Sequence, residues 1–175
     1  YFGGSGDDAA LAVALGADGA VYVAGRTTSA DLPVTAGAAQ ATLNGVEDGF
    51  VVKLSPTGTA IAYCTYLGGP AADAIRAAAV DAAGGLFVAG STQGAGFPTT
   101  AGVLQPVAGG GDDAFVAALA PLSGALAWAT YFGGSGNETA HGLDLDPTTG
   151  DLLVAGATAS TNLPTTAGAW LTTAP

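Results

Sequence analysis

The chain has no methionine, a single cysteine and only three basic residues among 175. Each shortage excludes something. One cysteine, Cys64, cannot close an internal disulfide, and it sits in the apolar run Ile61-Ala62-Tyr63-Cys64-Thr65-Tyr66, where it reads as a small buried hydrophobe. Arg26, Lys53 and Arg76 stand against 14 acidic residues, giving a net charge of −11. Such a surface repels the phosphates of nucleic acid, so DNA or RNA is not an expected partner. Long hydrophobic runs are also missing: 49% of the residues are hydrophobic, yet none of the runs approaches the roughly 18 residues of a membrane helix. Membrane insertion is not expected. Absence of methionine, with Tyr1 opening in the middle of a motif, marks the sequence as an excerpt, a processed product or the ordered part of something larger. No targeting or lipidation signal is visible.

The dominant feature is repetition. Tyr1-Phe2-Gly3-Gly4 returns as Tyr66-Leu67-Gly68-Gly69 and as Tyr131-Phe132-Gly133-Gly134, at offsets of 66 − 1 = 65 and 131 − 66 = 65 residues. Asp8, Asp73 and Glu138 keep that offset, as do Pro33 and Pro98, Gln40 and Gln105, Asp48 and Asp113, and Phe50 and Phe115. In the third copy the offset becomes 66 from Gly150 onward, because Asp146-Pro147-Thr148-Thr149-Gly150 is one residue longer than Asp81-Ala82-Ala83-Gly84. An insertion confined to a turn is what a β-hairpin tolerates.

Within a copy, Leu11-Ala12-Val13-Ala14-Leu15 and Val21-Tyr22-Val23-Ala24-Gly25 flank a Gly/Asp turn and predict a hairpin. A long excursion over residues 27–47 follows; Pro33 and its Ser, Thr, Asn and Gly neighbours argue against a strand there. Phe50-Val51-Val52-Lys53-Leu54, the turn Ser55-Pro56-Thr57-Gly58, and the run from Ala60 to Tyr66 predict a second hairpin. Four antiparallel strands per copy, in tandem, predict an all-β β-propeller, with the first strand nearest the axis and the fourth on the rim. Gly3-Gly4-Ser5-Gly6-Asp7-Asp8 would carry the chain between blades. A solenoid is the competing architecture, but its coils are far shorter than this period. The expected blades are residues 10–66 and 75–131, with a half blade over 140–175, so the 175 residues make one partial propeller of about 2.7 blades.

These motifs resemble the bacterial β-propeller repeat family called SBBP. The matching stretches are Tyr1 to Asp8, Val21 to Thr27, Phe97-Pro98-Thr99-Thr100-Ala101-Gly102, Asp113-Ala114-Phe115-Val116 and Thr65-Tyr66-Leu67-Gly68-Gly69. The resemblance implies a secreted or surface-attached bacterial protein and no reaction; fold alone supplies none. One departure concerns the acidic pair Asp7-Asp8, which becomes Ala72-Asp73 and Asn137-Glu138, so only its second position stays acidic.

Candidate sites follow from the acidic clusters. Asp7-Asp8, Glu47-Asp48 and Asp112-Asp113 could contribute to a calcium shell of six to eight oxygens, although their spacing fits no EF-hand. The simpler reading is that these carboxylates cap turns. His141 begins an inner strand and aligns with Arg76 and Leu11, a variable position suited to an axial channel. Trp128 replaces Tyr63 in a rim strand and reads as packing; Trp170 lies in an excursion and reads as packing or as a ring that stacks on carbohydrate. Thr-rich excursions and Asn137-Glu138-Thr139 have the form of glycan acceptors, but turn hydrogen bonding accounts for them more simply.

The sequence therefore predicts a non-enzymatic structural or interaction module with no catalytic residue and no cofactor beyond a possible calcium ion. Its expected partners are further repeats of the same polypeptide or adjacent subunits, with protein or glycan ligands. One alternative is a lyase or hydrolase with its site in the channel. Another is a filament-forming subunit completed by its neighbours.

Overall fold

The structure is a computed structural model and describes residues 1–172. The ends of the expected half blade, Thr173 to Pro175, lie outside the described residues. Among the described residues, every regular element is a strand: β1 (Asp8–Leu15), β2 (Val21–Thr27), β3 (Asp48–Leu54), β4 (Ile61–Leu67), β5 (Asp73–Val80), β6 (Leu86–Gln93), β7 (Asp112–Leu119), β8 (Leu126–Phe132), β9 (Glu138–Leu145) and β10 (Leu152–Thr158). They form two four-stranded antiparallel sheets, ordered β1-β2-β3-β4 and β5-β6-β7-β8, and a two-stranded sheet of β9 and β10. The excursions at 28–47 and 94–111 contain no strand.

The insertion at 146–150 falls where it was expected. Gly84 N–H donates to Asp81 O in the short turn at 3.0 Å, whereas in the longer turn Gly150 N–H donates to Asp146 O one residue further back, at 2.8 Å. The strands on either side stay in register with their counterparts.

Strand starts depart from the sequence reading. The first strand of each copy begins at Asp8, Asp73 and Glu138, two residues before the expected 10, 75 and 140. Acidic residues are poor strand formers. Here each pairs with a threonine of the next strand (Asp8 with Thr27, Asp73 with Thr92, Glu138 with Thr158), and its carboxylate is held by the preceding turn. Three further residues in, each first strand carries a bulge, at Leu11, Arg76 and His141, where the register with the second strand slips. All three bulged residues are exposed. A bulge leaves one residue outside the ladder and turns its side chain away.

Sheets stack face to face. Tyr22, Ala24, Val51 and Tyr63 of the first sheet meet Leu86, Val88, Phe115, Leu119 and Ala129 of the second in the main core. Ala89 and Val116, on the second sheet's opposite face, meet Ala140, with Trp128, Leu143 and Leu152 packed alongside. β5 lies against β1 on one side and β9 on the other. Small side chains on the facing strands allow this approach. The expectation of burial on both faces holds for β3 and β7, whereas β1 and β10 are largely exposed.

Polar contacts pin the first two sheets together. Tyr22 Oη donates to Gly84 O at 3.0 Å, and Lys53 Nζ donates to Pro121 O at 3.2 Å while lying 4.9 Å from the Tyr22 ring centroid. Burying most of a lysine is tolerable because its ammonium reaches a carbonyl, an aromatic face and Asp18 at 3.8 Å.

The excursions fold back along the outer edge of the fourth strands. Thr35 N–H donates to Cys64 O and Tyr66 N–H to Gln40 O, at 3.1 and 3.2 Å; Thr100 N–H donates to Ala129 O and Tyr131 N–H to Gln105 O, at 3.1 and 3.0 Å. These contacts occupy an edge that would otherwise be open to pairing with another chain.

One size exchange shows how tightly the sheets meet. A Cβ on Gly49 would stand 2.9 Å from Ile75 Cγ1 and 2.8 Å from Leu67 O, so the position admits only glycine. One copy later the same two places hold Ala114 and Ala140, and the small Ala140 leaves room for a methyl group. Gly49→Ala is expected to lower stability by about 1–3 kcal/mol through overpacking, and part of that loss should vanish in an Ile75→Ala background. Denaturant unfolding of the two single variants and the double variant measures the coupling; strictly additive losses would show that the contact is not what forbids the methyl group.

Candidate carboxylate junctions

Each chain crossing from one copy to the next ends on a carboxylate, and the structure builds the same node at each. Gly4 N–H donates to Asp8 Oδ2 at 2.8 Å, Gly69 N–H to Asp73 Oδ2 at 2.6 Å, and Gly134 N–H to Glu138 Oε2 at 2.6 Å. In the first copy Thr27 and Ser29 add hydroxyl donors, the latter at 3.0 Å; in the third Thr158 and Ser160 do so at 2.6 and 2.7 Å. Burial pushes the Asp8 and Glu138 carboxyls up, but the hydroxyl and N–H donors outweigh it, and both fall below their ordinary range.

The middle copy differs by one residue. Gly94 occupies the place of Ser29 and Ser160, so one hydroxyl donor is gone. Thr92 faces Asp73 but makes no well-formed bond to it, and Asp73 Oδ1 and Thr92 Oγ1 are both buried without a hydrogen-bond partner. Burial, with the nearby Asp48 and Glu47 carboxylates adding to it, pushes Asp73 up to about 6, against the lowering influence of Thr92 and the Gly69 N–H. The crossing loops change in concert. Ser5 and Ser135 N–H donate to Asp31 and Asn162 at 2.8 and 2.9 Å, whereas the middle copy replaces that pair by Pro70 against Gly96, where a Cβ on Gly96 would stand 2.7 Å from Pro70 Cδ.

A second carboxylate approaches each later node from the third strand. Asp48, fully buried at the start of β3, accepts from Gln40 Nε2, Asn44 N–H and Gly45 N–H at 2.6, 2.7 and 3.1 Å. Its pKa rises because burial outweighs those donors. Asp113, its counterpart in β7, accepts from Gly109 N–H at 2.8 Å, and its Oδ1 is buried without a partner. Burial raises its pKa too, with Glu138 and Asp112 contributing. A Cβ on Gly68 would stand 2.6 Å from Asp48 Oδ1 and 2.7 Å from Asp73 Oδ2, and one on Gly133 would strike Asp113 and Glu138 in the same way. The Gly-Gly box therefore threads between two carboxylates. Gln40 and Gln105 fasten it by accepting from Gly68 and Gly133 N–H at 2.9 and 3.1 Å.

The sequence-adjacent acids do not act together. Asp7 is exposed while Asp8 points inward, and Asp112 offers its N–H to Asn137 while Asp113 is buried, because strand neighbours face opposite sides. Glu47 pairs with Arg26. What the fold brings together is Asp48 with Asp73 and Asp113 with Glu138, pairs 25 residues apart (73 − 48 and 138 − 113). Among the described residues no group of three or more His, Cys, Asp or Glu side chains could hold a metal ion.

Other singled-out residues fall into place individually. Cys64 is buried and its thiol is pushed up to about 11 by burial, which leaves it inert. Trp128 packs against Phe87 with ring centroids 6.3 Å apart; Trp170 is exposed. A cleft of about 690 Å³ runs along the far ends of the first strands, and its Asp81 and Asp146 are occupied by N–H donors of their own turns. No family model and no curated protein matches this chain.

The nodes set opposite pH responses. Asp73, with its folded pKa raised to about 6 above an ordinary value of 3.8, contributes stability that is present below about pH 4 and lost as pH rises through 6. Asp8 and Glu138, depressed on folding, contribute stability above their ordinary pKa values that is lost on acidification. NMR titration of the carboxyl carbons should give Asp73 the highest midpoint of the three, and Asp73→Asn should flatten the fall in stability between pH 4 and 7. A midpoint for Asp73 at or below that of Asp8 would refute this account.

Proposed function

We propose that the chain is a non-enzymatic structural and interaction module, a segment of a bacterial extracellular or surface β-propeller of the SBBP type. The observation that carries this reading is the stacking of like sheets, with β1, β5 and β9 side by side and the faces packed in sequence order. Consecutive blades of a propeller would stack in this way, with their first strands inward. In this reading the carboxylates are hydrogen-bond hubs that fix one blade's angle to the next and hold no calcium or other cofactor. Support comes from their donors, which are turn N–H groups, a glutamine amide and hydroxyls. The acidic surface and the exposed Trp170 suit protein or glycan ligands, and in this reading the partners that complete the ring are further repeats of the same polypeptide or adjacent subunits.

Imaging the native polypeptide tests this directly. The expected particle is a disc with four to eight radial blades, and an extended rod would sink the propeller reading. Turnover of any substrate that is lost on His141→Ala, with the fold intact, would favour the enzyme reading instead.

A further inference from the structure

Asparagine occurs at three places in the chain, Asn44, Asn137 and Asn162, and the structure treats one of them differently. Asn137 Oδ1 accepts from Asp112 N–H at 3.0 Å, and Asn162 Oδ1 accepts from Ser135 N–H at 2.9 Å. Asn44 is exposed in the excursion before β3, and among the described residues its side-chain amide makes no hydrogen bond. The carboxamide is free to turn toward its own main chain.

The next residue is Gly45, and the fold admits nothing larger. A Cβ there would strike Ala71 O and stand 2.9 Å from Gly69 O, where the excursion presses on the crossing to the second copy. Without a side chain, Gly45 puts no steric shield between its nitrogen and the Asn44 carboxamide. The proton on that nitrogen is already directed at a base. Gly45 N–H donates to Asp48 Oδ1 at 3.1 Å, within the reach a general base requires, and Asn44 N–H holds the other carboxylate oxygen at 2.7 Å. Asp48 is fully buried, and burial raises its affinity for a proton. The charged groups around it are Asp73, across Gly68, and the sequence neighbour Glu47, whose carboxylate pairs with Arg26. In the second copy Gly109 and Gly110 occupy the two places, so the pair is confined to the first junction.

We propose that Asn44-Gly45 is a self-modifying site in which Asp48 acts as the general base. Asp48 takes the Gly45 amide proton as the Gly45 nitrogen bonds to Asn44 Cγ. The Cγ–Nδ2 bond breaks, and Nδ2 leaves as ammonia with one proton more, which regenerates the carboxylate. Water then opens the cyclic imide at either carbonyl, leaving aspartate or isoaspartate in place of the asparagine. Both products add a carboxylate beside Asp48 and Asp73, and isoaspartate also adds a methylene to the main chain that carries two of the Asp48 donors. The change therefore acts on the contact between the first two sheets. It stands apart from the propeller reading.

The test is to hold the folded chain near neutral pH and sample it over weeks by peptide mass spectrometry. Asn44 is expected to convert to a mixture of aspartate and isoaspartate while Asn137 and Asn162 persist. Asp48→Asn should slow the conversion on the order of 100-fold, the usual worth of a positioned base, with circular dichroism showing that the variant keeps its β-sheet. If that variant does not fold, the pH profile of the unaltered chain decides. With Asp48 as base the rate climbs as its carboxyl ionises and then levels, whereas in the urea-unfolded chain it rises in proportion to hydroxide. An Asn44 that persists in the folded chain and converts only in the unfolded one overturns the inference. So does an unchanged rate in folded Asp48→Asn, or a folded-state rate that never levels.

Discussion

The hydrogen bond from a Gly-Gly turn N–H to a buried carboxylate one strand-start away is the constraint on which the rest of the molecule depends. It converts the end of each fourth strand into the beginning of the next first strand. Without it Asp73 and Glu138 would be buried charges, and Asp8 a partly buried one, at the start of strands they do not favour. Because each of these acidic residues also pairs through the backbone with a threonine of the second strand, the crossing and the first hairpin are fixed together. The angle between neighbouring sheets is then set by short polar contacts of 2.6–2.8 Å at each crossing as well as by apolar packing.

The three copies serve as natural variants of one another. Where the hydroxyl donors are complete, the carboxyl stays below its ordinary range; in the middle copy, where burial dominates, Asp48 and Glu47 lie nearby and Gly94 supplies no hydroxyl, the carboxyl rises. Where Gly49 meets Ile75 the sheet cannot accept a methyl group; where Ala140 replaces the isoleucine, Ala114 appears. Ser5 with Asp31, Ser135 with Asn162 and Pro70 with Gly96 change as pairs. Such coupled exchanges mark contacts the fold uses, since a residue free of its neighbour has no reason to change with it.

Much of the architecture was legible because periodicity and turn chemistry act locally. The strand runs and the turn insertion all followed from alternating apolar residues, Gly/Asp turns and a constant offset. The early strand starts were not legible, since Asp and Glu read as turn formers until the opposing threonine and the turn N–H groups are seen. The bulges at Leu11, Arg76 and His141 were hidden for a similar reason: an apolar run gives no sign of where the register with its partner slips.

By itself the sequence determined the repeat length, the strand content and the sparing use of large side chains, all of which rest on short-range pattern. Tertiary structure alone decided which acids meet. Asp7 and Asp8 are adjacent in the chain and face apart, whereas Asp113 and Glu138 are 25 residues apart and enclose Gly133 between them (138 − 113). The reason is the two-residue alternation of a strand, which separates neighbours, and the stacking of sheets, which joins positions that no local pattern connects.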